Sequence, residues 1–201
     1  MPKLWIVAGP NGAGKTTLAD KHLSVHMPVI SPDEIARRLN VSPIEAARIA
    51  LSNTSELLNS STTFAVETTF SGKRELRLIE RAKEIGYTVS LIFVCTSNPY
   101  TCELRVQQRA QGGLHNVPVD DIWRRYPRSL SNMKSAFPIV DRVLLIDSDR
   151  DRPRLFFSSR DGKPSFASKR VPLLSKDILP PRFLVSNEES SNSFGPSIKK
   201  S

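Results

Sequence analysis

Several things are scarce in this sequence, and each shortage removes a class of protein. Only two of the 201 residues are cysteine, and Cys95 and Cys102 make neither a Cys-x-x-Cys pair nor a disulfide framework. Two reduced thiols in a cytoplasmic protein, with no metal held by cysteine, are therefore expected. Apolar runs are short. The stretch from Val89 to Cys95 is among the longest, far below the roughly 18 residues a membrane-spanning helix requires, and Met1-Pro2-Lys3 leads straight into a predicted strand, so neither a membrane segment nor an export signal is expected. There is no internal repeat. Acidic residues are in deficit, 20 against 29 lysines and arginines, and the net charge of +9 predicts attraction to anions without choosing among nucleic acid, nucleotides and phosphorylated sugars.

What is present is organised around Gly9-Pro10-Asn11-Gly12-Ala13-Gly14-Lys15-Thr16, followed by Thr17 and preceded by the apolar run Leu4-Trp5-Ile6-Val7-Ala8. The spacing matches the phosphate-binding pattern Gly-x-x-x-x-Gly-Lys-[Ser/Thr], with a strand before it and a helix after it. The glycines let the backbone curl so that several N–H groups aim at one anion, and the opening helix adds its positive end. Lys15 is expected to reach the β- and γ-phosphates of ATP, and the Thr16 hydroxyl to complete the coordination of Mg²⁺.

Along the rest of the chain, hydrophobic periodicity and turn residues predict strands alternating with helices. Strands are expected at about 4–8, 29–30, 62–66, 87–95 and 142–146, and helices at about 15–26, 32–39, 43–58, 72–85, 99–110 and 119–137. Val25, Ile44 and Ile85 are counted among the inward-facing residues. Ser31-Pro32-Asp33-Glu34 reads as a capping box. The pattern predicts an α/β three-layer sandwich with a parallel five-stranded sheet of P-loop kinase type over 1–150. Over 151–185 an extension is expected, with a short hairpin turning at Asp161-Gly162. Residues 186–201, rich in Ser, Asn, Glu and Lys, are expected to form a disordered tail.

Ligands of an open parallel sheet bind beyond the carboxyl ends of its strands, which brings Asp33, Glu67 and Asp147 to the rim that carries the P-loop. Asp33 is placed to take the proton of a hydroxyl attacking the γ-phosphate. Glu67 and Thr69 offer an acceptor and a hydroxyl for a polyol or sugar. The apolar strand 91–95 ends in Thr96 and not in an aspartate, which favours a small kinase over a motor ATPase. Arg105 and Arg109 on one helix and Arg124, Arg125 and Arg128 on the next, with Gly112-Gly113 and His115 between, predict an arginine lid. Within it, Arg105 and Arg109 are expected at the phosphates and Arg125 at the substrate.

At these residues the chain resembles the zeta toxin family of P-loop kinases. The resemblance runs from about Lys3 to Ser148 and is carried by the P-loop, Val29-Ile30-Ser31-Pro32-Asp33, Glu67-Thr68-Thr69, Arg105 through Gly112-Gly113, Val117-Pro118 and Arg124-Arg125-Tyr126. It implies phosphorylation of a sugar hydroxyl of UDP-N-acetylglucosamine with ATP and Mg²⁺, and restraint by a small helical antitoxin. It also implies Asp33 as catalytic base, Lys15 and Thr16 as phosphate and Mg²⁺ ligands, Glu67 and Thr69 as the sugar-site pair, and Arg105 or Arg109 as the lid arginine. Two other readings stand beside it: a polynucleotide 5′-hydroxyl kinase, for which no aromatic-and-basic stacking platform is evident along the rim, and a non-enzymatic nucleotide-dependent binding module.

Overall fold

The computed structural model describes residues 1–112, 117–150, 152–172 and 174–183. The elements, in chain order, begin with β1 (Lys3–Ala8), α1 (Lys15–His22), β2 (Val29–Ile30), α2 (Pro32–Leu39), α3 (Pro43–Asn59), β3 (Phe64–Thr68) and α4 (Arg74–Glu84). Then follow β4 (Thr88–Cys95), α5 (Pro99–Gln111), α6 (Val119–Ala136), β5 (Arg142–Asp147), β6 (Arg154–Arg160), β7 (Lys163–Ala167) and the short α7 (Ser175–Ile178). Their order across the sheet is β2-β3-β1-β4-β5-β6-β7. β1 is central because both its faces are apolar: Leu4, Ile6 and Ala8 enter the larger core with residues of α3, α4 and α6, while Val7 packs with Ala13, Ala19 and Leu23 on the α1 side.

The first five strands run parallel, as the pattern predicts, but the sheet has seven strands and not five. The expected hairpin exists and does not stand apart: β6 pairs antiparallel with β5, and β7 with β6. Burial explains the difference. Phe156 and Phe157 are buried, and the Phe157 ring lies 6.0 Å from that of Phe137 and 5.4 Å from that of Phe183, so the segment gains a core only by extending the open edge of β5. The turn places Asp161 at φ 50° and Gly162 at φ 71°, the two left-handed residues a tight hairpin turn requires. The tail at 186–201 lies outside the described residues.

Helix boundaries follow local chemistry. Pro stands at the first turn of α2, α3 and α5, and Ser31, Ser42 and Asn98 accept from the N–H three residues on, at 3.5, 3.2 and 3.0 Å. The capping box at α2 is only half made, because the Glu34 carboxylate turns to Arg37 at 2.6 Å and away from the Ser31 N–H. Val25, Ile44 and Ile85, expected inward, are exposed. α1 ends at His22 and α4 at Glu84, so Val25 and Ile85 lie past the ends of the faces they were to extend, and Ile44 occupies the solvent side of the first turn of α3.

The loop between β3 and α4 is fastened from α6. Asn132, buried, donates through Nδ2 to the carbonyls of Phe70 and Gly72, both at 2.8 Å, and accepts from Lys73 Nζ at 2.9 Å, holding Phe70 at φ 58°. Replacing it by leucine strands two carbonyls. Asn132→Leu should lower unfolding free energy by about 2–3 kcal/mol, measured as a shift of the urea midpoint.

Candidate active site

The P-loop connects β1 to α1 and is clamped from two sides. A Cβ on Gly9 would stand 2.0 Å from the Val94 carbonyl oxygen of β4. On Gly12, at φ 75°, it would stand 2.6 Å from the carbonyl of Cys102 on α5. Glycine is thus required at both places by close approach of protein backbone. Lys15, the first residue of α1, is buried and folds back to donate from Nζ to the Pro10 carbonyl at 2.8 Å. Burial pushes its ammonium below the ordinary value of 10.5, against the pull of Glu67 and then Asp33.

Register decides the next contact. β3 runs two residues further than its apolar pattern predicts, so Glu67 sits inside the strand opposite Val7, just ahead of the P-loop. There the Thr16 hydroxyl donates to Glu67 Oε1 at 2.7 Å. Asp33, in the first turn of α2 after the two-residue β2, reaches the same place. A cleft of about 170 Å³ is lined by Lys15, Thr16, Thr17, Asp33, Glu67, Arg105 and Arg109, together with loop residues Asn11, Gly12 and Gly14. Residues separated by up to 98 positions thus converge on the lysine of the loop.

Other expected site residues are not brought into this cleft. Thr69 shares a hydrogen bond of 3.0 Å with Ser71 in the next loop. Arg125 donates to Asp121 at 2.7 Å, and Arg124 pairs with the same carboxylate, so α6 spends two of its arginines on its own surface. Asp147 accepts from the Asp149 N–H at 3.0 Å and lies 3.6 Å from Arg154, an ion pair across the β5–β6 edge. The two lining arginines differ: Arg105 donates to the Ser148 carbonyl at 2.6 Å, whereas Arg109 is exposed and its guanidinium has no hydrogen-bond or carboxylate partner among the described residues. Gly113 and His115, expected at the lid hinge, lie outside the described residues.

Two features escape sequence reasoning. Asn11, expected at the nucleotide only as a member of the loop motif, has a buried Oδ1 without a hydrogen-bond partner among the described residues. On the far side of the P-loop a broad cavity of about 1120 Å³ opens between α1 and the segment after β5, with Leu18, Ile92, Ile146 and Leu155 as apolar walls and Lys21 and Arg152 at its edge. The position of 148–155 just beyond the fifth strand is the one signal for it, since all strand ends share that rim.

A family model described as AAA domain matches residues 4–126. An uncharacterized protein of Haemophilus influenzae is 28% identical over 136 residues, which is 62% of this chain and 97% of that protein. Among solved structures, the AvrRxo1-ORF1:-ORF2 complex with ATP superposes with a TM-score of 0.68 at 18% identity over 89% of this chain, which spans 63% of that one. The PezAT chromosomal toxin-antitoxin system of Streptococcus pneumoniae gives a TM-score of 0.57 at 18% identity over 79% of this chain and 72% of its own. Likeness at such identities is likeness of fold. The family match takes in more than half of the chain, including the P-loop, Asp33, Glu67 and both lining arginines: this chain belongs to the AAA domain family of P-loop proteins.

Proposed function

We propose that the protein is an ATP-dependent kinase that transfers the γ-phosphate to a hydroxyl of a small molecule, a nucleotide sugar such as UDP-N-acetylglucosamine being the acceptor that the zeta toxin resemblance implies. The observation that carries the reading is the single cleft in which two carboxylates, Asp33 and Glu67, face Lys15 and Thr16 of the phosphate loop. Two carboxylates beside the lysine can divide the work, one serving a metal ion and the other accepting the proton of an attacking hydroxyl.

In this reading the loop N–H groups and Lys15 hold the triphosphate, Lys15 exchanging the Pro10 carbonyl for phosphate oxygens. Asp33 accepts the proton of the attacking hydroxyl as its oxygen bonds to the γ-phosphorus. The bond from that phosphorus to the β–γ bridging oxygen breaks, and ADP leaves with the electron pair. Arg109, without a partner of its own, is available to the transferred group. The Thr16 hydroxyl and the Glu67 carboxylate, already 2.7 Å apart, are a hard-oxygen pair that fits Mg²⁺, an ion that keeps most of its waters and neutralises phosphate charge when bound. The other Glu67 oxygen is left to the acceptor. A protein partner of antitoxin type belongs to the same proposal, supported by the likeness to PezAT, as does a cytoplasmic location. Among the described residues no helix is long and apolar enough to cross a membrane.

Asp33→Asn keeps size and leaves the Ser31 cap in place while removing the base. ATP affinity by calorimetry should match the parent and kcat should fall about 10²- to 10⁴-fold. Transfer within a few-fold of the parent in single-turnover assays would remove Asp33 from the chemistry and move the search for the base to Glu67, the other carboxylate of the cleft.

The lysine supplies a pH test with a definite sign. Phosphate needs the ammonium form, and burial has lowered the Lys15 pKa in the free protein, so ATP affinity should weaken with rising pH before the ordinary 10.5 is reached. Titrations from neutral pH upward should show that loss in the parent, whereas Lys15→Arg, whose guanidinium stays charged, should be flat over the same interval. A parent affinity that holds to 10.5 would contradict the burial argument.

A further inference from the structure

A second cavity, of about 180 Å³, lies behind the catalytic rim between α2, α3 and α4. Its lining adjoins that of the cleft at two places in the chain: Pro32 lines the cavity and Asp33 the cleft, and Val66 lines the cavity and Glu67, on the opposite face of β3, the cleft. An acceptor that presents a hydroxyl to Asp33 therefore has this cavity, on the α2, α3 and α4 side of the sheet, open to the rest of its body.

The lining is specific in chemistry. Its floor is apolar, made by Ile30, Val66 and Leu58. Its α4 wall is charged. Glu75, whose side chain is only 6% exposed, is locked by Arg74 at 3.0 Å, so those two charges cancel. Arg77 and Arg81, four residues apart and hence on one face of α4, also line the cavity, yet neither guanidinium has a hydrogen bond or a carboxylate within 4.0 Å among the described residues. Two neighbouring guanidinium groups of like charge repel each other, so an anion between them removes that repulsion as well as making contacts. The planar fork matches the oxygens of phosphate in pairs.

We propose that the acceptor is a phosphorylated molecule whose existing phosphate is held by Arg77 and Arg81, with its apolar or ring portion on the Ile30–Val66 floor and a hydroxyl or amide hydrogen donated to Glu75. The proposal rests on the kinase reading for the direction in which the bound molecule presents its hydroxyl. It goes beyond that reading in assigning charge recognition to α4, a helix that carries none of the residues expected at the site.

The test separates the two. With ADP and Mg²⁺ saturating the P-loop, UDP-N-acetylglucosamine, uridine monophosphate, glucose 6-phosphate and uncharged N-acetylglucosamine are titrated into the full-length protein by calorimetry. At least one phosphorylated probe should bind the parent at least tenfold more tightly than N-acetylglucosamine. Arg77→Ala/Arg81→Ala should cut that affinity tenfold or more, Arg77→Lys/Arg81→Lys should restore part of it, and ATP affinity should stay within twofold throughout. Both arginines are exposed, and unchanged thermal melting would show that the variants fold. Failure of every phosphorylated probe to bind the parent, equal binding of N-acetylglucosamine, or an unaffected double alanine variant would overturn the assignment. Transfer to a probe with KM unchanged in the double alanine variant would leave the kinase reading standing and sink this one. Arginine-dependent binding without transfer to any probe would do the reverse.

Discussion

The site depends on how closely backbone presses on the phosphate loop. With the carbonyls of Val94 and Cys102 standing close to where the Cβ atoms of Gly9 and Gly12 would be, the loop is wedged between the end of β4 and the first turn of α5. Glycine here removes steric volume as well as permitting unusual dihedrals. The same contact fixes α5. Arg105 and Arg109 follow Cys102 by three and seven residues, so all three lie on one helical face, and seating the Cys102 backbone on the loop sets where both guanidinium groups fall. The N-terminal half of α5 thus belongs to the phosphate site, and Arg105 is tied to Ser148 just past the end of β5.

Electrostatics then explains why a lysine can be buried there. An isolated ammonium in such a place would lose its proton, and burial does lower the Lys15 pKa, but Glu67 and Asp33 counter the desolvation and the Pro10 carbonyl takes one of its hydrogens. These acids arrive from two different strand ends. β3 is beside β1 in register, which puts Glu67 level with the start of the loop, and β2 is so short that α2 begins almost at once and carries Asp33 back over the rim. Chain topology thereby turns a generic nucleotide loop into one with acids in front of it.

Much of this was legible from sequence, and where it was not the reasons are physical. Motif spacing located the loop, and the rule that strand ends share a rim placed Asp33 and Glu67 in one site. Both succeed because they depend on chain path alone. Thr69 and Arg125 sit at equally suggestive positions and do not line the cleft, since Thr69 lies just past the end of β3 and pairs with Ser71, and Asp121 four residues away draws Arg125. The same holds for Glu34, which a competing arginine takes from its cap, and for Asp147, held across a strand pair that the parallel pattern does not foresee. Joining of β6 and β7 to the sheet is a tertiary event: Leu155-Phe156-Phe157 announces a strand but not its partner. Arg77 and Arg81 look in sequence like an ordinary solvated helix face, and only the neighbouring apolar residues of β2, α3 and β3 give them a cavity to line.

The added hairpin also changes how the molecule behaves among copies of itself. A parallel sheet ending at β5 would expose a row of unpaired N–H and C=O groups on a six-residue apolar strand, a template for intermolecular strand addition. Instead the outermost strand is β7, exposed along its length, carrying Lys163 and Pro164 and joined to β6 through an irregular register. Proline withholds a donor, the lysine charge repels a like edge, and the irregularity twists the strand out of a flat pairing geometry. The opposite edge, β2, has two residues and offers almost nothing to pair with. Both margins of the sheet are therefore poor seeds for fibrous association, and the rim that carries the phosphate loop can stay open without leaving a bare apolar strand edge beside it.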